Sequence, residues 1–350
     1  MIKIEEYLKI CNQKTLKENR AFKKTKKSKF SIITPIFNKY ETIPRYMRSI
    51  QMQQFKDIEI ILIDDHSSDD TINVIKEFQD KDERIILIKN IQRKGTLISR
   101  NIGVCKSKGE FLLFVDPDDL LTNNILNYYT SLIKKYDYDL IRFNLYMGNY
   151  DLTLPKIVYY LKNIPIFETN ILYNLFFGFG KLLQLDFYIT NKLIKRQLFI
   201  RVLNSVNKYF LKQFMIDCED GLINFMLYKL SKSYYFTRKI GYYYIVTKTS
   251  ITHESADFKK RLKSNFLYFK FIIQNTKNNI IEKTIANLIF SHIFSDQHDA
   301  IINSLKDLKN DFQFYIKTIN LYIHNEFIPL KTKFILKYLR NIIKRKVFIN

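Results

Sequence analysis

A chain of 350 residues with 47% hydrophobic and 26% charged side chains has enough apolar content for a sizeable core, which excludes disorder over most of its length. Its formal net charge of +23 points to polyanionic partners: nucleic acid, anionic lipid or phosphorylated substrates. Three scattered cysteines, Cys11, Cys105 and Cys218, form no C-x-x-C pair, so reduced thiols and a cytosolic setting are expected. Neither an apolar leader nor an apolar run of about 18 residues is visible, so no membrane-spanning helix is expected.

In chain order, residues 1–29 read as a basic lead-in carrying Lys23, Lys24, Lys26, Lys27 and Lys29. Ser31 to Pro35 is a short apolar strand. Glu41 to Gln53 has helical spacing, with Ile43, Tyr46, Met47 and Ile50 on one face and Pro44 in the first turn. Ile58 to Ile63 is a second strand that ends at Asp64-Asp65, and Thr71 to Phe78 is a helix. Ile85 to Ile88 is a third strand, Thr96 to Lys106 a helix, and Phe111 to Val115 a fourth strand ending at Asp116. Residues 126–258 are aromatic-rich and mixed; residues 259–350 look helical and basic. Within the last stretch, Lys333 to Phe348 sets Ile335, Leu339, Ile342 and Ile343 against Lys337, Arg340, Lys344 and Arg345. Such a helix suits an anionic membrane surface or a core-docked position with solvated lysines.

Strands alternating with helices predict an α/β fold with a mostly parallel sheet flanked by helices, and ligands in such sheets bind outside the carboxyl ends of the strands. Both acidic clusters fall at those ends. Asp116-Pro117-Asp118-Asp119 can offer carboxylate oxygens to Mg²⁺ or Mn²⁺, or can form a turn with Asp118 or Asp119 capping a helix from Leu120. At Asp64-Asp65, a carboxylate can accept from a base or ribose group, while Ser67, Ser68 or Asp69 caps the next helix. Gly95 opens a helix and can bring N–H groups to an anion; Arg100 reads as a phosphate partner or a surface arginine. Asp220 precedes the apolar run Leu222, Ile223, Met226, Leu227 and Leu230, and is placed for a general base or for the helix N-terminus together with Asp217. The histidines, among them His253, His292 and His298, make no zinc set.

Taken in order, Thr34-Pro35-Ile36-Phe37-Asn38, Asp64 to Asp69, Gly95 with Ser99-Arg100-Asn101, and Gly109-Glu110-Phe111 leading to Asp116-Pro117-Asp118-Asp119 resemble the nucleotide-binding half of glycosyltransferase family 2. Asn191-Lys192-Leu193, Cys218-Glu219-Asp220 and Tyr242-Tyr243-Tyr244 with Ser250-Ile251-Thr252 are similar to later segments of its bacterial polysaccharide enzymes. The resemblance implies a GT-A fold over residues 30–258, with a donor half at 30–125, an acceptor half at 126–258, and a helical C-terminal extension. It implies inverting transfer from a nucleoside-diphosphate sugar, UDP-sugar favoured, to a glycan or glycolipid, assisted by Mn²⁺ or Mg²⁺. Thr34 and Phe37 would line the nucleotide pocket, Asp65 would meet the base, and Arg100 would serve the donor. Asp116 would lie near ribose and metal, Asp118 would be the principal metal ligand, and Asp220, or else Glu219, would be the base.

Three positions depart from the family pattern: His66 for glycine, Pro117 for a small residue, and Ser99 for alanine. The alternatives are a non-catalytic sugar-nucleotide binder and a basic nucleic-acid binder. The second lacks any nucleic-acid-binding signature, so no nucleic acid is expected as partner. Placement is cytoplasmic, or peripheral on the cytoplasmic membrane face.

Overall fold

The computed structural model describes residues 29–148, 156–157, 164–167, 188–215, 218–246 and 258–276. The chain divides into two compact units. The first takes Met1–Leu172, Phe187–Phe214 and Ile223–His253; the second takes Tyr173–Asp186, Met215–Leu222 and Glu254–Asn350.

In the first unit, β1 (Phe30–Ile36), α1 (Ile43–Gln51), β2 (Ile58–Asp64), α2 (Thr71–Gln79), β3 (Ile85–Lys89), α3 (Thr96–Lys106) and β4 (Phe111–Phe114) follow the expected rhythm. Every residue of β1 and β2 is buried, as expected of parallel strands covered on both faces. The polar residues inside are matched: the Ser31 hydroxyl donates to Glu59 at 2.5 Å, and Thr34 shares a 2.5 Å hydrogen bond with Tyr46. The four residues expected on one face of α1, Ile43, Tyr46, Met47 and Ile50, are all buried. Helix α3 lies close on the sheet at Gly103, where a Cβ would come within 2.9 Å of Ile63.

Beyond β4 come β5 (Leu120–Leu121), α4 (Ile125–Lys135), β6 (Leu140–Gly148), β7 (Lys156–Ile157), β8 (Ile164–Phe167), β9 (Lys192–Lys195), α5 (Arg196–Ser205) and α6 (Lys208–Leu211). Helix α7 (Glu219–Leu230) and β10 (Ser233–Ile245) follow. The sheet runs β3-β2-β1-β4-β9-β6-β10-β5, with β7 on β6 and β8 on β10. Only its first half is all parallel. Strand β9 is antiparallel to both β4 and β6, β6 and β10 are parallel, and β5 is antiparallel to β10. The sheet is therefore mixed, where a mostly parallel one was expected.

Register sets the functional rim. Ile36 pairs with Asp64 and Ile33 with Phe114, so β1, β2 and β4 end side by side and deliver Phe37, Asp65 and Asp116 to one edge. The Asp65 N–H donates to the Ile36 carbonyl at 2.7 Å, and the Asn90 N–H to that of Asp64 at 2.8 Å, extending the pairing past the strand ends.

In the second unit, α8 (Phe258–Asn275) buries Leu267, Tyr268, Phe271 and Ile272 at helical spacing. The Cys218 thiol donates to the Asn265 amide oxygen at 3.0 Å. Cys218 is a free cysteine among the described residues. Residues 1–28, His253, His292, His298 and the helix expected over Lys333 to Phe348 lie outside the described residues, and among those that are described no helix is long and apolar enough to cross a membrane.

Candidate active site

Asp65 leaves the end of β2 and is almost fully buried. One carboxylate oxygen accepts from the Asn90 amide and the Lys94 N–H, both at 2.8 Å; the other accepts from the Gly95 N–H at 2.7 Å. The anion expected at the start of α3 is thus the chain's own Asp65. Gly95 holds φ +89°, a backbone that favours glycine, and a Cβ there would meet the Phe214 ring at 3.1 Å. The Asn90 amide also reaches the Ser99 hydroxyl at 3.1 Å, which gives the serine at this family-alanine position a use.

His66 takes φ +71°. That left-handed backbone is why glycine suits the position, and the histidine keeps the loop geometry at some strain. Beside it, the Ser67 N–H donates to Asp64 at 3.2 Å, and Asn38 bonds Ser67 and Ser68 across from the loop after β1. Asp69 accepts from Thr71 and Tyr40. Burial opposes ionisation of Asp69, and these hydrogen bonds outweigh it, holding its carboxyl below the usual range.

Phe37 is half-buried, with the Arg93 guanidinium 3.9 Å from its ring centroid and 5.8 Å from that of Phe214. Thr34 differs from expectation. Its side chain is fully buried against Tyr46 and lines no open surface.

After β4, Asp116-Pro117-Asp118-Asp119 closes as a turn, the Asp119 N–H donating to the Asp116 carbonyl at 3.1 Å. Pro117 takes the second position, where its fixed φ is favoured. No helix follows from Leu120: Leu120 and Leu121 form β5 on Tyr243 and Tyr242, and α4 starts only at Ile125, so neither aspartate is a helix cap. The three acids part company. Asp119 is turned inward, accepting from the Tyr242 hydroxyl at 2.7 Å and the Ile245 N–H at 2.8 Å. Burial first, then the charges of Asp118 and Asp116, push its carboxyl well above the usual range. The Tyr242 oxygen also accepts from the Asp116 N–H at 3.1 Å, so one phenol ties both ends of the turn to β10.

Asp116 and Asp118 stay partly open, their side chains 30% and 21% exposed, and each faces a cation. Arg100 reaches Asp116 at 2.8 Å; far from being a surface residue, it is buried. Lys39 reaches Asp118 at 2.7 Å. Such pairing shows what this turn demands: positive charge against two carboxylates. Among the described residues no cluster of three or more His, Cys, Asp or Glu could cage a metal. Two open carboxylates fit instead a hard divalent cation that completes its shell with phosphate oxygens and water. Lys39, Asn90, Arg93 and Tyr242 were missed as site residues because each is defined by a partner distant in sequence.

Glu219 and Asp220 are the first two residues of α7, half-buried, directly after Cys218 at φ +62°. They fall in the second unit.

Comparison with known proteins fits this geometry. The family model for Glycosyl transferase family 2 matches residues 31–203. The chain is 42% identical over 100 residues to the GalNAc(5)-diNAcBac-PP-undecaprenol beta-1,3-glucosyltransferase of Campylobacter jejuni, a match spanning 28% of this chain and 32% of that protein. It is 25% identical over 290 residues to the glycosyltransferase GlyG of Streptococcus pneumoniae, spanning 81% and 89% of the two. Among solved structures, Staphylococcus aureus TarS 1-349 in complex with UDP-GlcNAc superposes with a TM-score of 0.67 at 18% identity, over 91% of this chain and 89% of that one. The fold is accordingly the expected GT-A arrangement, and through residues 31–203 the chain belongs to glycosyl transferase family 2.

Proposed function

We propose that this protein transfers a sugar, with inversion, from a nucleoside-diphosphate donor to an acceptor hydroxyl, and that the donor is held at the rim formed by β1, β2 and β4. The observation that carries the reading is the turn after β4, where two open carboxylates, Asp116 and Asp118, are each already matched by a cation.

In this reading Asp118 is the principal ligand of Mn²⁺ or Mg²⁺ and Asp116 the second, lying also near the ribose. A cation bound there neutralises charge that collects on the departing diphosphate. Arg100 holds Asp116 in place, and the Tyr242 phenol fixes the turn. Phe37 offers a ring face to the base, while Asp65 organises the corner that carries Arg93, Lys94 and Gly95. A direct displacement needs a carboxylate to take the proton from the acceptor hydroxyl. Asp220 is our choice, with Glu219 the alternative, on the strength of their place at a helix start.

UDP-sugar is the favoured donor, supported by the likeness to TarS in complex with UDP-GlcNAc. A glycan or glycolipid acceptor is supported by the PP-undecaprenol in the name of the Campylobacter relative. The +23 charge suits a phosphate-bearing acceptor and work at the cytoplasmic face of an anionic membrane.

The test is release of nucleoside diphosphate from a panel of sugar nucleotides, with Mn²⁺ or with chelator. Activity that depends on metal and is lost in both Asp118→Asn and Asp220→Asn is expected. Full turnover by Asp118→Asn in chelator would refute the assignment.

A further inference from the structure

The two cations at the acidic turn are held very differently. Arg100 is buried and donates to Asp116 through a rigid planar fork. Lys39 is a quarter exposed and meets Asp118 through a single point charge on a flexible stem. Its main chain is fixed: the Lys39 N–H donates to the Thr71 hydroxyl at 2.8 Å, and its carbonyl accepts from the N–H groups of Thr42 and Ile43 at 3.1 and 3.0 Å. Only the side chain is free to leave. A partly exposed ion pair of this kind is weak enough to be exchanged.

We infer that Lys39 is a resident counter-ion of Asp118, which competes with the divalent cation for this carboxylate and so couples metal uptake to arrival of the anionic donor. This rests on the reading that Asp118 binds metal. An ammonium 2.7 Å from the carboxylate oxygen and a divalent cation on the same carboxylate repel each other. Without nucleotide, a metal must displace Lys39 with no compensation. With a diphosphate present, the released ammonium and the metal both find phosphate oxygens, so the two ligands bind better together than singly. Lys39 is thus a positioning residue that sets the order of binding.

The experiment measures free Mn²⁺ by electron paramagnetic resonance in titrations of the full chain, with and without UDP, for the wild type, Lys39→Met, Lys39→Arg and Asp118→Asn. Melting curves confirm that each variant is folded. Removing the ammonium should tighten nucleotide-free Mn²⁺ binding about fivefold, the scale of a partly exposed pair. It should also shrink the gain in Mn²⁺ affinity that UDP brings. Lys39→Arg, which keeps the charge, should stay within about twofold of wild type. Asp118→Asn should bind little Mn²⁺ in any condition. Unchanged nucleotide-free affinity in Lys39→Met, with Mn²⁺ and UDP still binding together, would overturn the competition and leave the proposed function standing. Failure of the wild type to bind Mn²⁺ with UDP would overturn the proposed function, and this inference with it.

Discussion

Two acidic strand ends share one rim and are built to opposite designs. At the end of β2, the buried Asp65 carboxylate is satisfied by an amide and two backbone N–H groups, all within 2.8 Å. At the end of β4, Asp116 accepts from Arg100 and Asp118 from Lys39, in both cases from the tip of a long side chain. Backbone donors cannot be exchanged without undoing the loop; side-chain cations can move. The first acid therefore shapes the rim, and in the function proposed above the second is the one that exchanges its side-chain cation for a metal. Identical chemistry at the level of residue type is separated by who supplies the compensating charge.

The sharpest way to break this comparison is to neutralise one acid at each end. Asp118→Asn should lower transfer by ~10²–10³-fold, on the order of the loss when charge stabilisation at a departing group is removed, while the melting temperature stays near that of the wild type. Asp65→Ala should do the reverse first: a loss of about 2–3 kcal/mol of stability in denaturant titrations, because the buried Gly95 N–H and the part-buried Lys94 N–H are left without their acceptor. If Asp65→Ala is as stable as wild type, the structural role given to that carboxylate is wrong.

Smaller effects sharpen the picture within the second end. Tyr242→Phe removes the phenol that joins Asp119 to the Asp116 N–H, and should reduce stability by about 1–2 kcal/mol in the same titrations. Asp119 adds a pH signature. Its folded carboxyl lies well above the ordinary range, so as pH rises past that range the unfolded chain ionises first and the native state loses relative stability. Compared with Asp119→Asn, wild type should therefore fare better at pH 4 than at pH 7.5 in calorimetry, and a pH-independent difference would contradict the shift. The least effect is expected at His66: glycine relieves the left-handed φ and should raise stability by up to ~1 kcal/mol.

Much of the donor half could be read from sequence because its signals are local. Strands such as Ile58–Asp64 are apolar runs that stop at acids, and Thr96–Lys106 appears with the expected bounds because Gly95 marks its start. What escaped is non-local. Leu120-Leu121 looks like the first turn of a helix, yet it pairs with Tyr243 and Tyr242 more than a hundred residues on, and that pairing makes it a strand. Arg100 looks like a surface cation until Asp116 is placed beside it, and Lys39 has no meaning until the turn after β4 folds back within 2.7 Å. Pro117 and Ser99 read as departures from a pattern; one occupies a turn position that favours proline and the other accepts from Asn90.

The most direct measurement is UDP binding by isothermal titration calorimetry with Mn²⁺ and with chelator, on wild type, Asp118→Asn and Asp65→Asn. If the turn after β4 is the exchangeable site, Mn²⁺ strengthens UDP binding in wild type and in whatever fraction of Asp65→Asn remains folded, but not in Asp118→Asn. Equal enhancement by Mn²⁺ in wild type and Asp118→Asn would contradict it.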